Sequence, residues 1–204
     1  MDEAPRSSNR RSDPERLEAF SDGVMAVLIT LMALDLRAPN GATLHELGRS
    51  LPSLLVYMLS FAFIGIYWNN HHHLLRSTER MSGAVLWTNL HLLFWLSLIP
   101  VLTKWMADYH LSRLPACIYG VACFGAAIAY GLLVSAIVSA NGSSSAVARA
   151  MGRDVKGRLS AVMYAAGIGL AWVSPWFSYA LYAGVSVMWF IPDRRLTRLD
   201  FDIR

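Results

Sequence analysis

Residues 24–34 read Val24-Met25-Ala26-Val27-Leu28-Ile29-Thr30-Leu31-Met32-Ala33-Leu34, an apolar run broken only by Thr30. It follows Arg16-Leu17-Glu18-Ala19-Phe20-Ser21-Asp22-Gly23 with no proline between them. Together these residues are long enough for a helix to cross a hydrocarbon layer about 30 Å thick. Just upstream, Asp13-Pro14 reads as an N-cap with proline at the first helical position, and Ser12 with Glu15 offers a competing capping register. Either start places the first turns of the helix before the lipid.

The same pattern recurs along the chain. Segments 18–37, 51–75, 83–105, 114–140, 158–175 and 177–193 are each apolar enough to span, the last two joined by the short link Ser174-Pro175-Trp176-Phe177-Ser178. The 204 residues are 55% hydrophobic and only 16% charged, with a mean hydropathy of +0.39. Water-soluble domains carry about a quarter charged residues. The expectation is an all-α integral membrane protein of six transmembrane helices: a cytoplasmic tail over 1–12, a membrane domain over 13–193 and a basic cytoplasmic tail over 194–204. The net charge of +4 comes from short clusters between apolar runs, which argues against a nucleic-acid surface. Cys117 and Cys123 point about 120° apart on a helix and read as buried small hydrophobes. No nucleotide loop, nucleophile elbow or zincin pattern occurs, so no enzyme is expected. Asn141-Gly142-Ser143-Ser144-Ser145 reads as a flexible turn.

Basic residues orient a membrane chain, because loops rich in Arg and Lys stay cytoplasmic. With six spans, fourteen fall on the N-terminal side, from Arg6, Arg10, Arg11 and Arg16 to Arg198 and Arg204, whereas only Arg37, Arg49, Lys104 and Arg113 fall on the other. Both termini are therefore expected in the cytoplasm of a multi-pass protein of the cell membrane. No cleavable signal peptide is read at the N-terminus. Trp87, Trp105, Trp176 and Trp189 fall near predicted helix ends, as interfacial anchors do, although Trp87 reads equally well as a core residue.

Placed about 100° apart around the first helix, Phe20, Val24, Leu31 and Leu34 fall within about 60° of Val27, and Asp22 lies about 140° away. One stripe is thus apolar, and another carries Ser21 and Asp22. The stripe either faces lipid, with the polar groups turned inward, or meets its symmetry copies around an axis as a hydrophobic constriction. Periodicity leaves both open.

Further residues carry a resemblance. Arg16-x-x-x-Phe20-Ser21-Asp22, opening the first of six spans, resembles the signature of the transmembrane protein 175 family of potassium channels. Tyr67-Trp68-Asn69-Asn70-His71-His72 is similar to the family's second-span stretch, and Leu86-Trp87-Thr88-Asn89-Leu90 and Ser97-Leu98-Ile99-Pro100 to its third-span segments. The motifs cover roughly residues 14–105. The resemblance implies a homotetramer whose first helices line a central pore that passes potassium in preference to sodium. It implies no cofactor, potassium being the permeant ion. The family's constriction positions fall on Val27, Leu31 and Leu34, with Thr30 beside them, which are members of the stripe found by angle. Related chains usually carry isoleucine or leucine where Val27 stands.

The resemblance further implies a buried polar network of Arg16, Phe20, Ser21, Asp22, Trp68, Asn70, His71, Asn89 and Ser97 holding the first helix against the second and third. Arg16 either bends back to a neighbour or sits at the cytoplasmic mouth. Asp35 either draws cations to the outer mouth of the pore or is a plain solvated charge. His71, His72 and His73 point about 100° apart in succession, so three imidazoles cannot share one ion, and no metal site is expected. The rival reading is a secondary transporter or proton-coupled carrier using Asp22 and His71, against which stands the lack of a visible internal repeat.

Overall fold

The computed structural model describes residues 13–109, 112–142, 145, 147–148 and 155–190. Its elements are all helical: α1 Asp13–Leu34, α2 Leu44–Arg76, α3 Gly83–Ser97, α4 Ile99–Asp108, α5 Arg113–Asn141, α6 Val155–Leu170 and α7 Pro175–Phe190. The expected tails at 1–12 and 194–204 lie outside the described residues. Among the described residues, four segments are long and apolar enough to cross a membrane: α1, α2, α3 with α4 read as one rod from Gly83 to Asp108, and α5. The chain is a multi-pass membrane protein. At 16 residues each, α6 and α7 reach only about 24 Å.

Local chemistry sets the boundaries. Thr43 caps α2, its hydroxyl accepting from the Glu46 amide at 3.3 Å, so α2 starts well before the predicted Leu51 and carries Pro52 within it. Ser82 caps α3 in the same way through the Val85 amide. The third rod breaks at Leu98, two residues before Pro100, because a proline has no N–H to give and its ring crowds the preceding turn. The link between α6 and α7 lies at Ala171–Ser174, where Ser174 N donates to Leu170 O at 2.9 Å. The expected link at Ser174–Ser178 is thus displaced toward the N-terminus. Pro175 belongs to α7 as its first residue, the position its fixed φ suits.

Asn141 also departs from its reading as part of a flexible turn. It is the last residue of α5. Its Oδ1 accepts from the amides of Glu79 and Arg80 at 3.0 and 2.8 Å, and its Nδ2 donates to Arg80 O at 3.1 Å. One side-chain amide thus clamps the α2–α3 connection to the end of α5, and Gly142 follows at φ 90°, a conformation that glycine adopts without steric cost.

The core runs along α3, α4 and α5, through Leu92, Leu96, Ile99, Met106, Tyr119, Ala126, Leu133 and Ile137. Cys123 is buried there, and Cys117 is buried beside Ala116 and Ala171; both thiols are free. α1 packs on α2, α4 and α3, while α6 and α7 pack on each other and on α5. Small residues bring the helices close. The Tyr182 ring lies against Gly120 and Gly167, leaving no room for a Cβ at either, and Trp95 does the same at Gly125. Outside this core the surface is apolar, with Leu55, Phe94, Val162 and Val187 more than half exposed, as a lipid-facing exterior requires. Trp87 at 75% exposure belongs to that exterior and not to the core.

Candidate functional site

α1 divides into two faces. Ser21, Met25, Leu28 and Met32 are buried against the neighbouring helices. On the other side Phe20, Val27, Leu31 and Leu34 are 52, 56, 46 and 77% exposed. These four belong to the stripe read from the sequence; its fifth member, Val24, packs against the edge of the core. Thr30 is exposed beside them, its hydroxyl donating to Ala26 O at 2.9 Å. The exposed face is therefore apolar for more than two turns, and its only hydroxyl is turned back to its own helix.

The buried face is held by a three-residue relay. Asn89 on α3 donates from Nδ2 to Ser21 Oγ at 3.0 Å, and Ser21 donates to Leu17 O at 2.9 Å. The Asn89 carbonyl is then left to accept from His71 Nε2 on α2 at 2.7 Å. Ser21, His71 and Asn89 are each fully buried. With its Nε2 proton committed to Asn89, His71 keeps an Nδ1 that is buried without a hydrogen-bond partner. This relay joins three helices at the cost of polar burial, and each member satisfies the next.

Among the described residues, the others expected in the network make no hydrogen bond to the relay. Trp68 is 44% exposed and stacks on His72 with centroids 6.0 Å apart. Asn70 donates to Ile66 O within its own helix at 2.9 Å, and Ser97 donates to Phe94 O at 2.7 Å. Arg16 and Phe20 are exposed, and Arg16 makes no hydrogen bond or ion pair among the described residues. Asp22 is partly buried, with Oδ1 lacking a hydrogen-bond partner.

Two groupings were not read from the sequence. Glu18 and Asp22, one turn apart on α1, bring carboxylate oxygens to within 4.8 Å of each other and of a His72 ring nitrogen. His72 Nδ1 lies 2.7 Å from Glu18 Oε1. These are the residues with which the site could hold a cation, and protonation of His72 makes the contact an ion pair. The i, i+4 spacing of the two carboxylates was the available signal. The second grouping is Ser60, Thr103 and Tyr119, buried where α2, α4 and α5 meet. Thr103 Oγ1 lies 2.7 Å from Ser60 Oγ, which is 3.1 Å from Tyr119 OH. Lone hydroxyls in apolar spans that bond across helices are the matching signal.

At the far end of α1, Asp35 Oδ1 accepts from Lys104 Nζ at 2.6 Å, both side chains partly exposed. The pair lines a polar depression with Arg37, Glu46, Arg49 and Asp108. The Asp35 charge is thus largely offset at short range.

Residues 16–100 match the family model described as the endosomal/lysosomal potassium channel TMEM175. A protein named as a potassium channel from Chryseobacterium sp. (strain P1-3) is 42% identical over 183 residues, covering 90% of this chain and 95% of that one. The Bos taurus protein named endosomal/lysosomal proton channel TMEM175 is 40% identical over 83 residues, 33% of this chain and 17% of its own length. The crystal structure of a lysosomal potassium-selective channel TMEM175 homolog from Chamaesiphon minutus superposes with a TM-score of 0.75 at 27% identity, covering 89% of this chain and 98% of that one.

Proposed function

Since this chain belongs to the TMEM175 family, we propose that it is a potassium channel of four identical subunits whose α1 helices line the pore. The observation that carries this reading is the exposed apolar face of Val27, Leu31 and Leu34 on a helix whose opposite face is pinned by the Ser21–Asn89–His71 relay. A face held rigidly in register but left uncovered by its own protomer suits a surface that meets its copies around an axis. α6 and α7 form the fifth and sixth spans, and both termini lie in the cytoplasm, in keeping with the excess of basic residues on that side.

Four apolar rings offer no oxygen ligands to replace an ion's hydration shell. Passage is governed by wetting of the constriction and by the water an ion must shed there. Potassium holds its water less tightly than sodium and crosses at lower cost. Selectivity of this kind is moderate, and Thr30 supplies a hydroxyl beside the apolar layers. Asp35 draws cations to the outer mouth only to the extent that Lys104 leaves its charge uncompensated.

Purified protein in planar bilayers tests the reading. Discrete currents with a reversal potential displaced toward that of potassium are expected. Coupled substrate flux without discrete currents would replace the channel with a carrier acting through Asp22 and His71.

A further inference from the structure

A cavity of about 210 Å³ lies between α2, α5, α6 and α7, in the half of the molecule nearest the start of α1. Its lining is mainly apolar, with Phe63, Ala161, Tyr164 and Val185 among its walls. Ile128, also a lining residue, is 45% exposed, so the cavity opens sideways onto the apolar exterior. Charge gathers at the N-terminal end of α6. Arg158 lines the opening, is exposed, and has no acidic partner among the described residues. Lys156 Nζ sits 5.6 Å from the centroid of Trp189, whose ring lines the same cavity and whose Nε1 donates to Ser160 Oγ at 2.8 Å. An apolar slot that opens toward hydrocarbon, with cations at the end facing the headgroups, matches one class of ligand: a chain with a negative head.

We propose that this cavity takes an acyl-chain segment of an anionic phospholipid from the leaflet on the N-terminal side, its phosphate held by Arg158. Basic pockets between membrane helices select anionic headgroups in this way. The volume is below that of pockets which engulf a whole small molecule, so part of one chain enters and the remainder stays in the bilayer. The proposal rests on α6 and α7 being embedded.

Quenching of tryptophan fluorescence by brominated lipid tests it, with the full chain in phosphatidylcholine vesicles that contain either brominated phosphatidylglycerol or brominated phosphatidylcholine. The Trp189 signal is the difference between the natural protein and Trp189→Phe. That signal should be quenched at about fivefold lower mole fraction of phosphatidylglycerol than of phosphatidylcholine, the weight of one basic residue near an anionic surface. Arg158→Gln should remove the preference and Arg158→Lys keep most of it. Ala161→Phe, which fills the slot, should abolish the tight component for both lipids. Equal quenching by the two lipids in the natural protein, or no effect of Ala161→Phe, would overturn the site. So would a Trp189 that neither lipid reaches, which would mean that protein covers the cavity. Trp172 and Trp176, at the opposite end of the same helix pair, report embedding separately. If neither lipid quenches them, the embedded reading of α6 and α7 falls as well; if both do, only the lipid site is at issue.

Discussion

Val27, Leu31 and Leu34 show how little chemistry the proposed constriction contains: three alkyl side chains per subunit, exposed on α1. One methylene in the proposed constriction should therefore be felt. Val27→Ile is expected to narrow the pore and increase discrimination of potassium over sodium, read as a shift in reversal potential under bi-ionic conditions; identical potentials would remove this layer from selectivity. Asp35 and Lys104, 2.6 Å apart, allow a second test at the mouth. Lys104→Gln releases the carboxylate and should raise single-channel conductance at low ionic strength, with the gain fading as salt screens the charge. Behind the proposed pore face, Asn89 is the central member of the relay. Asn89→Ala strands the Nε2–H of His71 and should cost about 1 to 3 kcal/mol, measured by thermal unfolding in detergent. Ser21→Ala should add little on that background, because the two share one network.

At the scale of elements, helix contacts are set by small residues opposite rings. Tyr182 on α7 lies over Gly120 of α5 and Gly167 of α6 and donates to Ala116 O at 3.1 Å. Gly167→Val must displace that ring, and overpacking of this kind costs about 1 to 3 kcal/mol. A lower unfolding temperature is expected, with potassium selectivity unchanged in the protein that survives, because α6 and α7 stand apart from the α1 face. Helix positions were legible wherever an apolar run was long, as in α5, predicted over 114–140 and found at Arg113–Asn141. They shifted where a polar cap or a proline decided the end: Thr43 extended α2, Pro100 broke the third rod, and Pro175 started α7. Those side chains act on one or two backbone groups, a signal that hydropathy averages out.

For the whole molecule, a pore built from α1 requires more than one chain, since one protomer contributes one such helix. Cross-linking in lipid or mass measurement in mild detergent should return a tetramer. A stable monomer that still conducts would remove the proposed pathway.

By itself the sequence determined that this is a helical membrane protein, which way its basic loops favour inserting it, and which side of α1 is apolar, because hydropathy, charge asymmetry and the helical repeat are properties of local order along the chain. It carried the family motifs for the same reason. Only the tertiary structure decided which polar residues meet. Of the residues named from the motif, it joined Ser21, His71 and Asn89 and left Trp68, Asn70 and Ser97 bonded or stacked within their own helices; it also brought Glu18, which no motif named, together with Asp22 and His72. Those pairings depend on the rotation of each helix about its axis relative to its neighbours. That rotation is set by the fit of Met25, Leu28 and Met32 against the core, across contacts tens of residues apart in sequence.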